Sequence, residues 1–481
     1  MDSETRQLLS IYFIPVMAPG HMIPMIDIAR QFARLGAKST IITTSSNASQ
    51  FSQTIERDRR NGSQISISLV KFPCREAGLP DGCENLSSTT TLEMSMNFMK
   101  AIDLLREPVE KLLHEKGNRP DCIVAGAFFS WANDVALRLN IPRLTFYGTG
   151  FFPMCVYRSL RDNKPHEKVG SDFEEFVVPG LPDEVRISRR QIPDQLKDGD
   201  NYNNNPMAEF VRKVLESELA SYGKIVNSFY EMEPAYAEHY KGLDGGRAWH
   251  IGPVSLFNKS DEDKACRGKE SSCNEYCSSW LDSKKPNSVL YVCFGSMAFF
   301  QTPQLHEIAK GLENSGREFV WAVKENAQLD EEFEARIEGR GLIIRGWAPQ
   351  VQILDHEAVG GFVTHCGWNS LLEGVAAGVP MITWPLSAEQ FFNEKLVAEI
   401  LKTGIPVGAR EWTKRTDERE VIKGESIERA VAQLMGGEEE AERMRIRARE
   451  FGDLAKMAVQ EGGSSDIDLK SLMEELRMFH R

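Results

Sequence analysis

Residues 347–390 read WAPQVQILDHEAVGGFVTHCGWNSLLEGVAAGVPMITWPLSAEQ, and this stretch decides how the remaining chain is read. It begins as a short strand and a loop and continues as a second strand over Gly361, Phe362, Val363 and Thr364. It then turns at His365, Cys366 and Gly367 and passes into a helix whose apolar residues Leu371, Leu372 and Val375 share a face. A strand-turn-helix unit of this kind presents free backbone N–H groups and the positive end of the helix dipole at the turn, where an anion is stabilised. Gly367 lets the backbone approach a ligand, and Asn369 and Ser370 add polar side chains. The anion these features predict is a phosphate. Trp347 supplies a flat face for a base, and Glu373, about one turn beyond Asn369, can accept from two ribose hydroxyls. The alternative, a capped helix in a buried α/β unit, leaves this polar cluster unexplained.

The order and identity of these residues closely resemble the signature box of the plant family 1 UDP-dependent glycosyltransferases. WAPQ stands at the front, HCGWNS in the turn, GVPMITWP in the next strand and AEQ at the end. The resemblance implies an α/β chain of the GT-B fold, two facing Rossmann-like domains with parallel sheets. It implies a donor site in which Trp347 stacks on uracil with Ala348 beside it, and Gln350 and Glu373 hold the ribose region. His365, Asn369 and Ser370 would meet the pyrophosphate, with Gly367 also in the donor site, and Trp368, Glu389 and Gln390 would contact the sugar. Gln390 resembles the residue of glucose users, so UDP-glucose is the first expectation, with UDP-galactose, UDP-xylose and UDP-glucuronic acid left open.

Nearer the N-terminus, SIYFIPVM (Ser10 to Met17) is an apolar run of strand length. The loop Ala18-Pro19-Gly20-His21 leads into a helix with Ile26, Ile28, Ala29, Phe32 and Leu35 at helical spacing, and STIITT follows as a strand. His21 thus falls at the carboxyl end of the first strand of a βαβ unit, where open parallel sheets bind ligands. On the residues alone a loop or helix-cap histidine is the plainer reading. APGHMIPMIDIARQFA, however, resembles the family segment that carries the catalytic base, and a neutral His21 imidazole can take the proton of an acceptor hydroxyl. A helix is expected from about Leu92 to Lys116. Phe128, Phe129 and Phe152 either line an apolar acceptor pocket or belong to the core.

Relatives usually end the strand before Phe128 in Val-Ala-Asp, the Asp orienting the catalytic His. This chain has Val124-Ala125-Gly126. An imidazole without that carboxylate gains less from being protonated. Another group then takes over, Ser130 or Asp134 being nearest in sequence. Alternatively the acceptor is a carboxylic acid, already ionised at pH 7, and the product a sugar ester. A third possibility is a homologue that binds a UDP-sugar or metabolite with little or no turnover. The reading adopted is an active enzyme.

At 481 residues and 41% hydrophobic content the chain is long enough for two domains. Its 57 Lys and Arg against 70 Asp and Glu give a net charge of −13 without a basic run, which argues against nucleic acid or anionic membrane as partner and for small molecules. Nine Cys, odd in number and without metal spacing, read as free thiols of a reducing compartment. No apolar run approaches the ~18 to 20 residues a membrane span requires, so a soluble, cytoplasmic monomer is expected. Asp198-Gly199-Asp200 mimics an Asp-x-Asp metal motif but sits in a polar stretch with no strand leading into it. No metal and no cofactor are expected, the UDP-sugar being a co-substrate. A dehydrogenase fails for want of a GxGxxG fingerprint.

The expected layout is an acceptor-binding domain over 1–250, a charged, Ser-rich linker over 251–287, a UDP-sugar-binding domain over 288–460, and a helix over 461–481 that packs back on the first domain. In the second domain SVLYVCF precedes Gly295-Ser296. The resemblance turns Ser296 toward the diphosphate, and a simple turn serine is the alternative. The function implied is inverting transfer of a sugar, first glucose, to a hydroxyl or carboxyl of an apolar plant metabolite such as a triterpenoid or flavonoid.

Overall fold

Short apolar runs that alternate with helices are joined by crossover connections, and strands joined that way pair in parallel. The computed structural model describes residues 8–479 apart from 116, 118, 198–205, 245, 266, 268–273 and 414–418. Asp198-Gly199-Asp200 therefore lies outside the described residues, as do Cys266 and Cys273.

The first domain contains β1 (Ser10–Ile14), β2 (Lys38–Thr43), β3 (Ile65–Leu69), β4 (Cys122–Gly126) and β5 (Arg143–Tyr147). A small antiparallel hairpin of β6 (Glu175–Val177) and β7 (Arg186–Ser188) follows, then β8 (Gly223–Val226) and β9 (Ala248–His250). Seven parallel strands lie in the order β3-β2-β1-β4-β5-β8-β9, with Ile11 beside Cys122 and Ile14 beside Ala125. The second domain holds β10 (Val289–Cys293), β11 (Glu318–Val323), β12 (Gly341–Arg345), β13 (Val359–Thr364), β14 (Met381–Thr383) and β15 (Gly404–Pro406). Its order is β12-β11-β10-β13-β14-β15, also parallel.

Both sheets change winding direction at their first strand. β1 has β2 on one side and β4 on the other, and β10 has β11 and β13. Helices leaving such a pair cover opposite faces and open a crevice at the carboxyl ends. The loop after β1 leads to His21, and the loops after β10 and β13 carry Ser296 and His365 to Gly367. These are two Rossmann-like domains in the GT-B arrangement.

One apolar core runs through the junction of the two domains, from the helix Phe151–Asn163 of the first into the helices Trp368–Ala377 and Gln390–Lys395 of the second. The last helix, Ser464–Phe479, buries Leu469, Leu472, Met473 and Leu476 in the core behind the first sheet, and Asp468 accepts from the His250 N–H at 2.8 Å.

Two local expectations are corrected. The single helix from Leu92 is two, Leu92–Leu104 and Arg106–His114, because Pro108 has no N–H for the interior of a continuous helix and is tolerated in a first turn. The start of the 347–390 stretch is not a strand. The strand ends at Arg345, and after Pro349 the chain forms the helix Gln350–Leu354.

The site helix Trp368–Ala377 ends at Gly378, whose φ is +72°, and the helix Glu439–Ala458 crosses it there with Gly452. A β-carbon on Gly452 would lie 2.9 Å from both Cα and N of Gly378, which are backbone atoms that cannot rotate away. Gly452→Ala is expected to destabilise the protein by about 1–3 kcal/mol. Gly437→Ala, with nothing within 4 Å, is expected to leave the thermal midpoint unchanged. Parallel melting curves of the two variants check this.

Candidate active site

A cavity of about 860 Å³ lies between the two carboxyl edges, lined from the first domain by Gly20, His21 and Gly148 and from the second by the loops after β10, β11, β12 and β13. Ser296, Trp347, Ala348, Gln350, His365, Gly367, Trp368, Asn369, Ser370, Glu373 and Glu389 all reach its wall. The Asn369 side-chain amide donates to the Gly20 carbonyl at 2.6 Å, tying the turn before His21 directly to the start of the helix Trp368–Ala377.

His21 sits in the first turn of the helix Pro19–Arg34. Its imidazole packs against Phe128, ring centroids 5.5 Å apart, and a β-carbon on Gly148 would come within 2.9 Å of its Nδ1. Burial among these groups pushes the imidazole down to about 4, so the ring is neutral at pH 7 and able to accept a proton. No side-chain hydrogen-bond partner of His21 is found among the described residues. Asp134 does not replace the carboxylate, since it is exposed and ion-paired with Arg106 at 3.4 Å, one turn into the helix after β4. Gly126 is more than a deleted side chain. A β-carbon there would lie 2.6 Å from Cγ2 of the fully buried Val16 and 3.3 Å from its backbone N, so the loop after β1 leaves little room for a side chain at this position.

On the second domain, Gly295 (φ +74°) and Gly367 press on the His365 ring, and a β-carbon on either would approach it within 2.6 Å and 2.3 Å respectively. His365 is likewise pushed down to about 4, chiefly by burial and secondly by the Lys324 ammonium, and its Nδ1 is buried without a hydrogen-bond partner among the described residues. Gln350 donates to Glu373 at 2.6 Å and to Ser370 Oγ at 3.1 Å. The other Glu373 oxygen accepts from Arg267, whose Nε donates to Asp27 of the first domain at 2.8 Å. Arg267 thus bridges Glu373 to Asp27 of the first domain. Sequence reading missed it, because a single arginine in a polar linker carries no periodic or motif signal. Burial raises the Glu389 carboxyl, which accepts from Asn393 at 3.3 Å.

Three expected contacts are different in the structure. The Trp368 indole is 2% exposed and turns into the domain junction, where its Nε1–H donates to the Asn227 carbonyl at 2.7 Å. The backbone at the helix start is what it can offer a ligand. Gln390 does not line the cavity. Its side-chain oxygen accepts from the N–H groups of Leu386 (2.8 Å) and Ser387 (3.0 Å), which need an acceptor in the loop after Pro385. Phe129 and Phe152 are fully buried core residues, Phe129 against Trp131 and Phe152 against Tyr236. Phe128 remains at the site, and Phe210 meets it edge-on at 5.7 Å, an aromatic neighbour the sequence gave no reason to place there. Among the described residues no group of three or more His, Cys, Asp or Glu is arranged to hold a metal ion.

Residues 253–433 match the family model of the UDP-glucoronosyl and UDP-glucosyl transferases. The scopoletin glucosyltransferase of Nicotiana tabacum is 50% identical over 98% of both chains. The UDP-glucose flavonoid 3-O-glucosyltransferase 7 of Fragaria ananassa is 50% identical over 99% of this chain and 98% of its own. The crystal structure of Glycyrrhiza uralensis UGT73P12 complexed with glycyrrhetinic acid 3-O-monoglucuronide superposes with a TM-score of 0.91 at 42% identity, over 98% of this chain and 96% of that one.

Two predictions come from this geometry. Gly126→Asp alone is expected to lower stability by about 1–3 kcal/mol without raising the transfer rate, because the new side chain meets Val16. Val16→Ala combined with Gly126→Asp should recover part of that loss, and a single variant with wild-type melting and faster turnover would refute the steric account. The second concerns pH. Folded His21 and His365 have lowered pKa values, so between the ordinary histidine pKa of about 6.5 and about 4 the unfolded chain binds protons that the folded one does not. Stability should therefore fall as pH drops through that window, while the protonation state of His21 leaves kcat/KM flat from about pH 8 to about pH 5. Titration of the imidazole Cε1–H signals by NMR checks both.

Proposed function

This chain belongs to the plant family 1 UDP-dependent glycosyltransferases, and from that premise we propose that it transfers glucose from UDP-glucose, with inversion, to a hydroxyl of a flat phenolic acceptor. The observation that carries the reading is the single cavity that sets His21 opposite the donor residues of the second domain. The acceptor hydroxyl attacks the anomeric carbon, His21 takes its proton, and UDP leaves from the opposite face toward the start of the helix Trp368–Ala377. Trp347 stacks on the uracil, Gln350 and Glu373 hold the ribose, and Ser296, His365, Asn369 and Ser370 meet the diphosphate.

A phenol suits the two unusual features of the acceptor side. Its hydroxyl, with a pKa of about 10 or below, gives up its proton more readily than an aliphatic alcohol, so a base without a carboxylate partner suffices. The edge-to-face pair Phe128 and Phe210 offers aromatic surface beside His21. The relatives named for scopoletin and a flavonoid point the same way, and the glycyrrhetinic acid derivative in the licorice structure makes triterpenoid alcohols and acids the next class. The reading needs no resident metal and no second copy of the chain. It places the protein in the cytoplasm, where cysteines such as the buried Cys74, Cys122 and Cys366 persist as thiols. No helix among the described residues is long and apolar enough to cross a membrane.

A second reading, binding of a UDP-sugar without turnover, is favoured by Gly126 alone. Incubation with UDP-glucose and a panel of coumarins, flavonols, triterpenoid alcohols and triterpenoid acids, followed by UDP release and product mass, separates the two. We expect glucosides of the phenols, and a loss of roughly 100-fold or more in kcat with His21→Ala. Transfer only to carboxylic acids, with His21→Ala nearly as fast, would favour ester formation. UDP binding without UDP release across the panel would favour the binding protein.

A further inference from the structure

The loop after β11 brings one cation to the edge of the cavity where the leaving group collects charge. Lys324 directly follows the last residue of β11, the neighbour of β10, so it emerges at the same carboxyl edge as Gly295 and Ser296. Its ammonium donates to the Ser296 carbonyl and lies 4.8 Å from the centre of the Phe299 ring. It is close enough to His365 to lower that imidazole's affinity for a proton. Beside it the His365 Nδ1 is buried without a partner among the described residues, and the first N–H groups of the helix Trp368–Ala377 have no acceptor within their own helix. A fixed ammonium, a neutral imidazole and a helix start on one wall form a cradle for a doubly charged group.

We propose that Lys324 is a diphosphate-binding residue of the donor site, a role that rests on the UDP-sugar reading above. In the transfer step the bond between the anomeric carbon and the β-phosphate oxygen breaks, and its electron pair stays on that oxygen. A bond from the acceptor oxygen to the anomeric carbon forms, and the acceptor proton goes to His21. The charge gained by UDP is then opposed by Lys324 as well as by the helix dipole.

The test compares UDP with uridine, which share base and ribose and differ only in the diphosphate. Their dissociation constants are measured by calorimetry for wild type, Lys324→Met and Lys324→Arg, with a melting curve for each. We expect Lys324→Met to weaken UDP roughly ten-fold while changing uridine less than about two-fold, and Lys324→Arg to keep most of the UDP affinity. The UDP-to-uridine preference of wild type should fall with added salt more steeply than that of Lys324→Met. Equal weakening of UDP and uridine by Lys324→Met would mean that the lysine only props the loop around Ser296, and would overturn the assignment. So would an unchanged UDP affinity in a variant of wild-type stability. Wild type that binds neither UDP nor uridine would overturn the nucleotide-sugar reading and this assignment together.

Discussion

The arrangement of the whole molecule depends on how one indole is buried. Trp368 opens the helix whose N-terminus faces the cavity, yet its ring lies in the domain junction, donating to the Asn227 carbonyl and resting where a β-carbon on Gly150 would fall 2.1 Å away. Glu233 closes the other side of this contact, accepting from the N–H groups of Phe151 (3.0 Å) and Phe152 (2.7 Å) at the start of their helix. A large apolar surface is thereby removed from water with its one polar atom satisfied, which makes the contact favourable and directional. One residue further along the same helix, Asn369 ties it to the turn before His21 through the Gly20 carbonyl.

Around this apolar joint the interdomain segment builds a charged one. Arg30 donates to Asp58, Asn258 and Asp263, and Asn258 donates to Asp27 at 3.0 Å. Arg267 carries the network across to Glu373. Buried ion pairs of this kind contribute little net stability once desolvation is counted, but removing one partner strands a charge. Their effect here is on position: Glu373, the carboxylate expected to receive the ribose, is held through Arg267 by Asp27 of the helix Pro19–Arg34. Donor side and acceptor side share a framework of both apolar and ionic contacts.

The glycine at 126 shows how local packing limits chemical inference. At the end of β4 a β-carbon on Gly126 would meet the side chain of Val16, and His21 packs against Phe128 and the Gly148 backbone. Burial keeps this imidazole neutral, and among the described residues no opposite charge favours its protonated form. An imidazole so placed, in the proposed role of base, suits acceptors that release a proton readily.

The sequence by itself determined the alternation of strand and helix, the position of His21 after the first strand, and the composition of the 347–390 stretch, because hydrophobic period, glycine placement and helix starts are local properties. It also grouped Trp347, Gln350, His365, Ser370 and Glu373 in one 44-residue stretch, and all five line the cavity. Tertiary structure alone decided which side chains of that set face the cavity. Trp368 and Gln390 satisfy the N–H and C=O groups of neighbouring segments, and Phe129 and Phe152 fill the core, outcomes fixed by partners far away in the chain or by loop backbone. Lys324, Arg267, Phe210 and the close approach of Gly126 to Val16 were equally hidden. Each acquires its meaning from a contact between distant segments, and spacing along a chain carries no record of such contacts.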